Sequence, residues 1–332
     1  MSFHERYSHL YRHAITTRGL KYHYLAILPS ESSKPTLVFL HGFPSSSHDW
    51  SNQIVYFQEK GYGLIVPDML GYGGSDRPTD CHEFRLKLLA QDIVDIVAKE
   101  NPKRAVAIGH DWGSVVLSRI VVYHPTVFAA YAWFALSFLK PLPPTSDFDT
   151  LLPFLKQNFG AELFAYQEFF VKPDAAKWIE TNIESYIDIS FPEDPAQWSV
   201  LTTRGQLEDW LKNDTRGQRA RWLTPEYMNV LRQNLLEGGV NSALNYYRAL
   251  HEDVNRADED ELQGRDLNFD KPAFFGATTQ DRVCIPSMHI PAIQSVASNL
   301  TVVEFDTGHW VYLEQPDKVN EQLDKWLTTV VG

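Results

Sequence analysis

The segment Ala105–Ser114 most constrains what this chain can fold into. An apolar run, Ala105-Val106-Ala107-Ile108, breaks into Gly109-His110-Asp111-Trp112-Gly113 and opens straight into a helical pattern. The run is short and rich in alanine and valine, as a strand buried on both faces can be. A Gly-x-Asp-x-Gly turn between such a strand and a helix has the layout of a nucleophile elbow. There a reactive side chain sits on a sharp corner, and the flanking glycines are needed because larger neighbours would collide. Asp111 occupies the corner. A carboxylate that attacks an sp3 carbon leaves an ester, which water can cleave, whereas a serine would leave an inert ether. The residue type therefore points to a substrate with an alkyl electrophile.

The flanking elements give the elbow its setting. Tyr22–Leu28, Thr36–Leu40 and Gly63–Pro67 read as strands, the second ending in His41-Gly42-Phe43-Pro44 and the third in a glycine-marked loop, residues 68–75. Leu86, Leu89, Ile93 and Ile96 recur at helical spacing before the elbow strand. The helix after Asp111 is expected to stop before Pro125, and Ala129–Leu136 resumes as a strand. The character then changes: Lys140-Pro141-Leu142-Pro143-Pro144 is a proline-rich break, and residues 151–258 read as helices crowded with aromatics. Strands return only at Pro272–Ala277 and Leu300–Phe305, followed by a closing helix from Pro316 with Val319, Leu323 and Trp326 on its apolar face. The expected fold is α/β: one mostly parallel sheet, continuous in space, formed by residues 1–138 and 259–332, with a helical cap inserted at 139–258.

Bulk properties exclude other classes. The formal net charge of -12 and the scarcity of basic clusters argue against a nucleic-acid partner, which needs Lys and Arg gathered on one face. No stretch approaches the roughly 18 apolar residues of a membrane helix, and Met1–Gly19 lacks the apolar core of a signal peptide. Cys81 and Cys284 are the only cysteines, too few for a disulfide framework or a thiolate zinc site. A reducing, cytoplasmic location is expected, with no metal or organic cofactor. Monomer and homodimer both stay open.

An aspartate nucleophile needs a base to activate water and a third group to hold that base. His309 lies in the loop after the last expected strand, where the chain order of nucleophile, acid and histidine puts it. Asp281, in the loop after the preceding strand, is the orienting acid; Asp306, three residues before His309, is more simply a loop-capping aspartate. The turn at 41–44 follows an early central strand, so the N–H groups of Phe43 and Trp112 are expected to form an oxyanion hole, with their side chains on the pocket floor. Phe43–Pro44 is a candidate cis peptide bond. His41, His110 and His124 read as structural.

These motifs together resemble the soluble epoxide hydrolases of the α/β-hydrolase fold over essentially the whole chain: His41-Gly42-Phe43-Pro44, Gly109-His110-Asp111-Trp112-Gly113, the acid loop at Asp281, and Gly308-His309-Trp310. The resemblance implies two cap tyrosines that hold the epoxide oxygen. Tyr166, in Ala165-Tyr166-Gln167-Glu168-Phe169-Phe170, is similar to the first, and Tyr247, in Asn245-Tyr246-Tyr247-Arg248, to the second. A phenol is protonated at neutral pH and can both hydrogen-bond the oxygen and pass on a proton as the ring opens. Tyr246 competes with Tyr247; helical neighbours point about 100° apart, so only one can face the nucleophile. Ser45 stands where many relatives carry glutamate, and Ser114 where glycine or alanine is common. The implied partners are a small epoxide and water. A haloalkane or haloacid dehalogenase of the same fold would share Asp111, His309 and a halide-holding Trp112, but Phe43 offers no side-chain donor for that halide. A non-catalytic ligand-binding protein is the third reading, and an intact triad speaks against it.

Overall fold

A computed structural model describes residues 3–141 and 147–331. Leu142, Pro143 and Pro144 of the proline-rich break lie outside the described residues. Eight strands form one sheet: β1 (Tyr11–Ile15), β2 (Lys21–Ile27), β3 (Thr36–Leu40), β4 (Gly63–Pro67), β5 (Ala105–His110), β6 (Ala130–Phe134), β7 (Ala273–Thr278) and β8 (Leu300–Phe305). Their order is β1-β2-β4-β3-β5-β6-β7-β8. β2 pairs antiparallel with β1 and β4, and every other pairing is parallel. Burial explains the sequence patterns. β3, β4, β5, β6 and β7 are buried along their whole length, so they read as continuous apolar runs.

The edges behave differently. β8 alternates partly exposed and exposed residues up to Phe305. β1, with Arg12 and His13 exposed, is absent from the sequence-level expectation because an edge strand need not be apolar. Helices Ser51–Glu59 and Pro286–Gln294 are also additions; Pro291 inside the second masks its helical pattern.

Helix Leu86–Glu100 buries Leu86, Leu89, Ile93 and Ile96, the positions that share one face at helical spacing, and packs beside helix Trp112–Tyr123. It ends on Asn101 in the left-handed region, φ 47°, a conformation asparagine tolerates. Asp92, on its buried face, is met there by the Arg18 guanidinium at 2.5 Å and the Tyr22 hydroxyl at 2.9 Å. Helix Trp112–Tyr123 stops at His124, directly before Pro125.

Among the described residues between β6 and β7, no strand joins the sheet. The chain runs through helices Phe148–Phe159, Ala165–Phe170, Ala175–Thr181, Ile183–Ser190, Gln206–Lys212, Pro225–Leu236 and Asn245–His251. Both ends of this excursion meet one side chain. Arg119, fully buried on helix Trp112–Tyr123, donates from Nη1 to the Leu139 carbonyl at 2.6 Å and from Nε to Glu259 Oε1 at 3.0 Å. The points where the chain leaves and rejoins the sheet layer are thus tied to the helix that follows Asp111. No helix among the described residues is long and apolar enough to cross a membrane.

Candidate active site

Four parallel strands deliver the site at their C-terminal ends, the edge where open α/β sheets place their ligands. β5 runs into Asp111, β3 into residues 41–43, β7 into Asp281 and β8 into His309. Asp111 has φ 51° and ψ -124°, a strained backbone for a residue with a side chain, and it is the last residue before helix Trp112–Tyr123. The turn is packed so closely that a Cβ on Gly113 would run into the Leu40 carbonyl. One on Gly42 would overlap the Asp111 carboxylate itself. These two glycines are therefore demanded by the approach of β3 to the elbow.

The Phe43 N–H donates to Asp111 Oδ1 at 2.8 Å, and the Phe43–Pro44 peptide is cis. Asp111 Oδ2 stands 3.7 Å from His309 Nε2. On the far side of the imidazole, Nδ1 donates to Asp281 Oδ2 at 2.7 Å. The other Asp281 oxygen accepts the N–H groups of Val283 at 2.8 Å and Cys284 at 2.9 Å, which fixes the carboxylate in place. The rival acid Asp306 turns to the surface, where Gln280 Nε2 donates to it at 2.6 Å.

Electrostatics follow from this packing. Burial pulls the His309 pKa down, but Asp281 and Asp111 more than offset it and hold it well above its usual value. Burial pushes Asp111 and Asp281 up, yet His309 and the backbone N–H donors outweigh it and leave both below the ordinary carboxylate range. Each acid thus favours the charged form of the histidine, and the histidine favours the charged form of each acid.

His41, His110 and His124 are structural in geometry. His41 accepts the Met69 N–H at Nε2 (2.9 Å) and reaches the Gly42 carbonyl at Nδ1 (2.9 Å); burial lowers its pKa to about 4. His110 reaches the His309 carbonyl at 2.9 Å, and burial together with the nearby His309 lowers its pKa to about 3. His124 caps the C-terminal end of its helix. Ser45 and Ser114 are both buried beside the turn.

The helical excursion closes over this edge. A cavity of about 50 Å³, room for a few water molecules, is lined by Phe43, Pro44, Asp111 and His309 from the sheet side and by Tyr166, Phe170, Tyr186, Trp198, Leu201 and Tyr247 from above. Tyr166 and Tyr247 come from separate helices yet meet edge to face, ring centroids 6.0 Å apart. Burial is the main cause that raises both phenols well above 10, and Asp111 pushes each further, so both remain protonated. Tyr246 turns the other way, against Tyr72 and Phe84.

Trp112 departs from expectation. Its indole packs edge-on against Tyr247 at 5.1 Å and beside Tyr246 at 5.4 Å, and it is not among the residues lining the cavity. Position 112 is the first of the helix, and its side chain is taken up supporting the Tyr246–Tyr247 pair. Its N–H is one of the free donors of a helix start, but among the described residues it makes no bond to the carboxylate. Trp198 and Tyr186 were not legible as site residues. Each is one aromatic among many, and only the fold sets the Trp198 ring 5.2 Å from His309.

The fold and this edge define a class: a parallel α/β sheet that presents an acid, an acid-supported histidine and a backbone donor beneath a helical cover. The chain belongs to the alpha/beta hydrolase fold family, which it matches over residues 35–316. It is 27% identical over 318 residues to epoxide hydrolase A of Mycobacterium tuberculosis, covering 90% of this chain and 92% of that protein. It is 26% identical over 319 residues to the bifunctional epoxide hydrolase 2 of Mus musculus, covering 94% of this chain but 54% of the relative, so the chain spans about half the length of that protein. Among solved structures, epoxide hydrolase A from Mycobacterium thermoresistibile superposes with a TM-score of 0.79 at 25% identity, covering 96% of this chain and 98% of that one.

Proposed function

We propose that this protein hydrolyses an epoxide to a vicinal diol, through a covalent ester on Asp111 that is cleaved by water activated at His309. The observation that carries this reading is the convergence of two protonated phenols, Tyr166 and Tyr247, on the cavity that holds Asp111. A nucleophile facing two hydroxyl donors suits an electrophile whose leaving oxygen stays attached to the product. Residues 139–258 act as the cap that supplies those donors, and the aromatic lining suits apolar substituents on the ring.

The geometry supports different roles for the two Asp111 oxygens. Oδ1, held by the Phe43 N–H, becomes the ester carbonyl and then the oxyanion when water adds. Oδ2, unheld by that donor, attacks the ring carbon. The epoxide C–O bond breaks as the new C–O bond forms, and a phenol donates its proton to the departing oxygen. Esterification removes the negative charge of Asp111, one of the causes that hold His309 protonated. His309 then releases its proton to the phenolate and stands neutral, ready to deprotonate water, with Asp281 stabilising the returning charge. The hydroxyl of that water adds to the acyl carbon and the acyl–Oδ2 bond breaks; the remaining water proton passes to Oδ2, so the diol leaves neutral and Asp111 is ionised again beside the protonated His309. No cofactor enters this scheme.

A dehalogenase reading fits less well, since Trp112, the natural halide donor, supports Tyr247 instead of lining the cavity. The deciding assay offers the purified protein one aryl epoxide and one primary haloalkane. Diol without halide release is expected. Halide release without diol would overturn the proposal, and turnover of neither would favour a ligand-binding role.

A further inference from the structure

Tyr166 is not held by packing alone. Its hydroxyl oxygen lies 3.3 Å from Gln167 Nε2, and Gln167 Oε1 lies 2.8 Å from His251 Nε2. Gln167 follows Tyr166 on helix Ala165–Phe170, while His251 closes helix Asn245–His251, one turn beyond Tyr247. The amide and imidazole therefore bridge the two helices that carry the phenols. Phe148 covers the imidazole, ring centroids 4.5 Å apart.

Polarity along this bridge is not free. Burial lowers the His251 pKa to about 4, so near neutral pH the ring carries one hydrogen on one nitrogen. With that hydrogen on Nε2, the imidazole donates to Gln167 Oε1, and the amide NH2 faces Tyr166. The phenol oxygen accepts, and its own hydrogen is left for the cavity. With the hydrogen on Nδ1, Nε2 becomes an acceptor and the amide turns over. Gln167 Oε1 then faces Tyr166 and captures the phenol hydrogen, and a phenol has only one to give.

We propose that His251 and Gln167 are positioning residues that form a polarity relay, in which the Nε2–H imidazole fixes the Gln167 amide so that Tyr166 must direct its hydroxyl hydrogen at the substrate oxygen. The proposal rests on the role given to Tyr166 above. Neither residue touches the reacting atoms; both act through the phenol.

The test inverts the relay without changing its size. In Gln167→Glu a carboxylate, which only accepts, replaces the amide and captures the Tyr166 hydrogen. Ester formation is followed in single turnovers by tryptophan fluorescence and ester cleavage by quenched mass spectrometry. Gln167→Glu is expected to slow ester formation by about a hundredfold, less where Tyr247 compensates, as is expected of Tyr166→Phe, because one donor to the developing oxyanion is lost. Ester cleavage should keep its wild-type rate, a split that a general loosening of the cap would not give. Tyr166→Phe combined with Gln167→Glu should be no slower than Tyr166→Phe alone, since both remove the same donor. His251→Phe should slow ester formation, and His251→Gln, which returns an N–H donor, should restore most of it; this pair also serves if Gln167→Glu does not fold. Nitrogen-15 shifts of His251 should report the Nε2–H tautomer. Wild-type ester formation in Gln167→Glu, additive losses in the double variant, or an Nδ1–H tautomer would each overturn the relay. A normal rate in Tyr166→Phe would instead overturn the role of Tyr166, and the relay with it.

Discussion

The backbone N–H of Phe43 and the carboxylate of Asp111 are already joined, Oδ1 accepting at 2.8 Å. In the proposed mechanism this donor holds one oxygen of Asp111 and leaves the other to attack, so oxygen transfer would have a defined direction. A single turnover in oxygen-18 water is expected to give mostly unlabelled diol, with the label left in the Asp111 carboxylate. The peptide containing Asp111, read by mass spectrometry, carries the answer. Diol labelled directly from solvent in that first turnover would mean water attack with no ester.

His309 stands 3.7 Å from Asp111 and is fixed by Asp281 on its other nitrogen, a geometry that supports the role proposed for it in the second half of the reaction. His309→Gln with a good epoxide should accumulate a covalent adduct on Asp111, visible in the intact-protein mass. Asp281→Ala should slow the same cleavage step, because an unsupported imidazole loses its orientation and the partner for its positive charge. Normal turnover by His309→Gln with no adduct would remove this residue from the mechanism.

What could be read without coordinates follows a physical divide. The elbow was legible because the fully buried β5 must be apolar and because the β3 backbone presses on Gly113 and reaches Asp111 through Gly42. Asp281 could be placed because it follows a strand, as it does in the fold. β1 stayed hidden because an edge strand with exposed Arg12 and His13 has no need of an apolar pattern. Helical spacing predicted that only one of Tyr246 and Tyr247 could face the nucleophile, yet it could not say that Trp112 would turn its indole to that pair. Trp198 and the Gln167–His251 bridge reach the site through tertiary packing of the cap, and nothing local in their neighbourhoods marks them.

Arg119 offers a test of how the cap is anchored. Its guanidinium is fully buried and binds Glu259, itself 4% exposed, as well as the Leu139 carbonyl. Removing one partner of a buried pair strands the other charge, which costs about 3–5 kcal/mol, whereas replacing both with apolar groups is often close to neutral. Arg119→Met should therefore lower unfolding stability by about that amount in urea titration. Arg119→Met with Glu259→Leu should recover most of the loss. If the single variant stayed as stable as wild type, the clamp would contribute nothing to anchoring the cap.

The phenols can be separated from the rest of the site because Tyr→Phe removes a hydroxyl and keeps the ring. Tyr247 packs against Phe43, Phe170 and Tyr166 through its ring, contacts that a phenylalanine preserves. Melting temperature and circular dichroism should thus stay close to wild type in Tyr166→Phe, Tyr247→Phe and the double variant. Each single change should cost on the order of 3 kcal/mol of transition-state stabilisation, less where the second phenol compensates. The double change should nearly abolish ring opening, since Asp111 would still be ionised and His309 still supported, but the leaving oxygen would have no donor. The loss should appear in ester formation alone. Near-normal epoxide turnover by the folded double variant would show that these two tyrosines do not act on the oxygen. Gain of haloalkane cleavage in the same variant would reopen the dehalogenase reading, because it would mean that the phenols had only been excluding a halide from a nucleophile able to displace it.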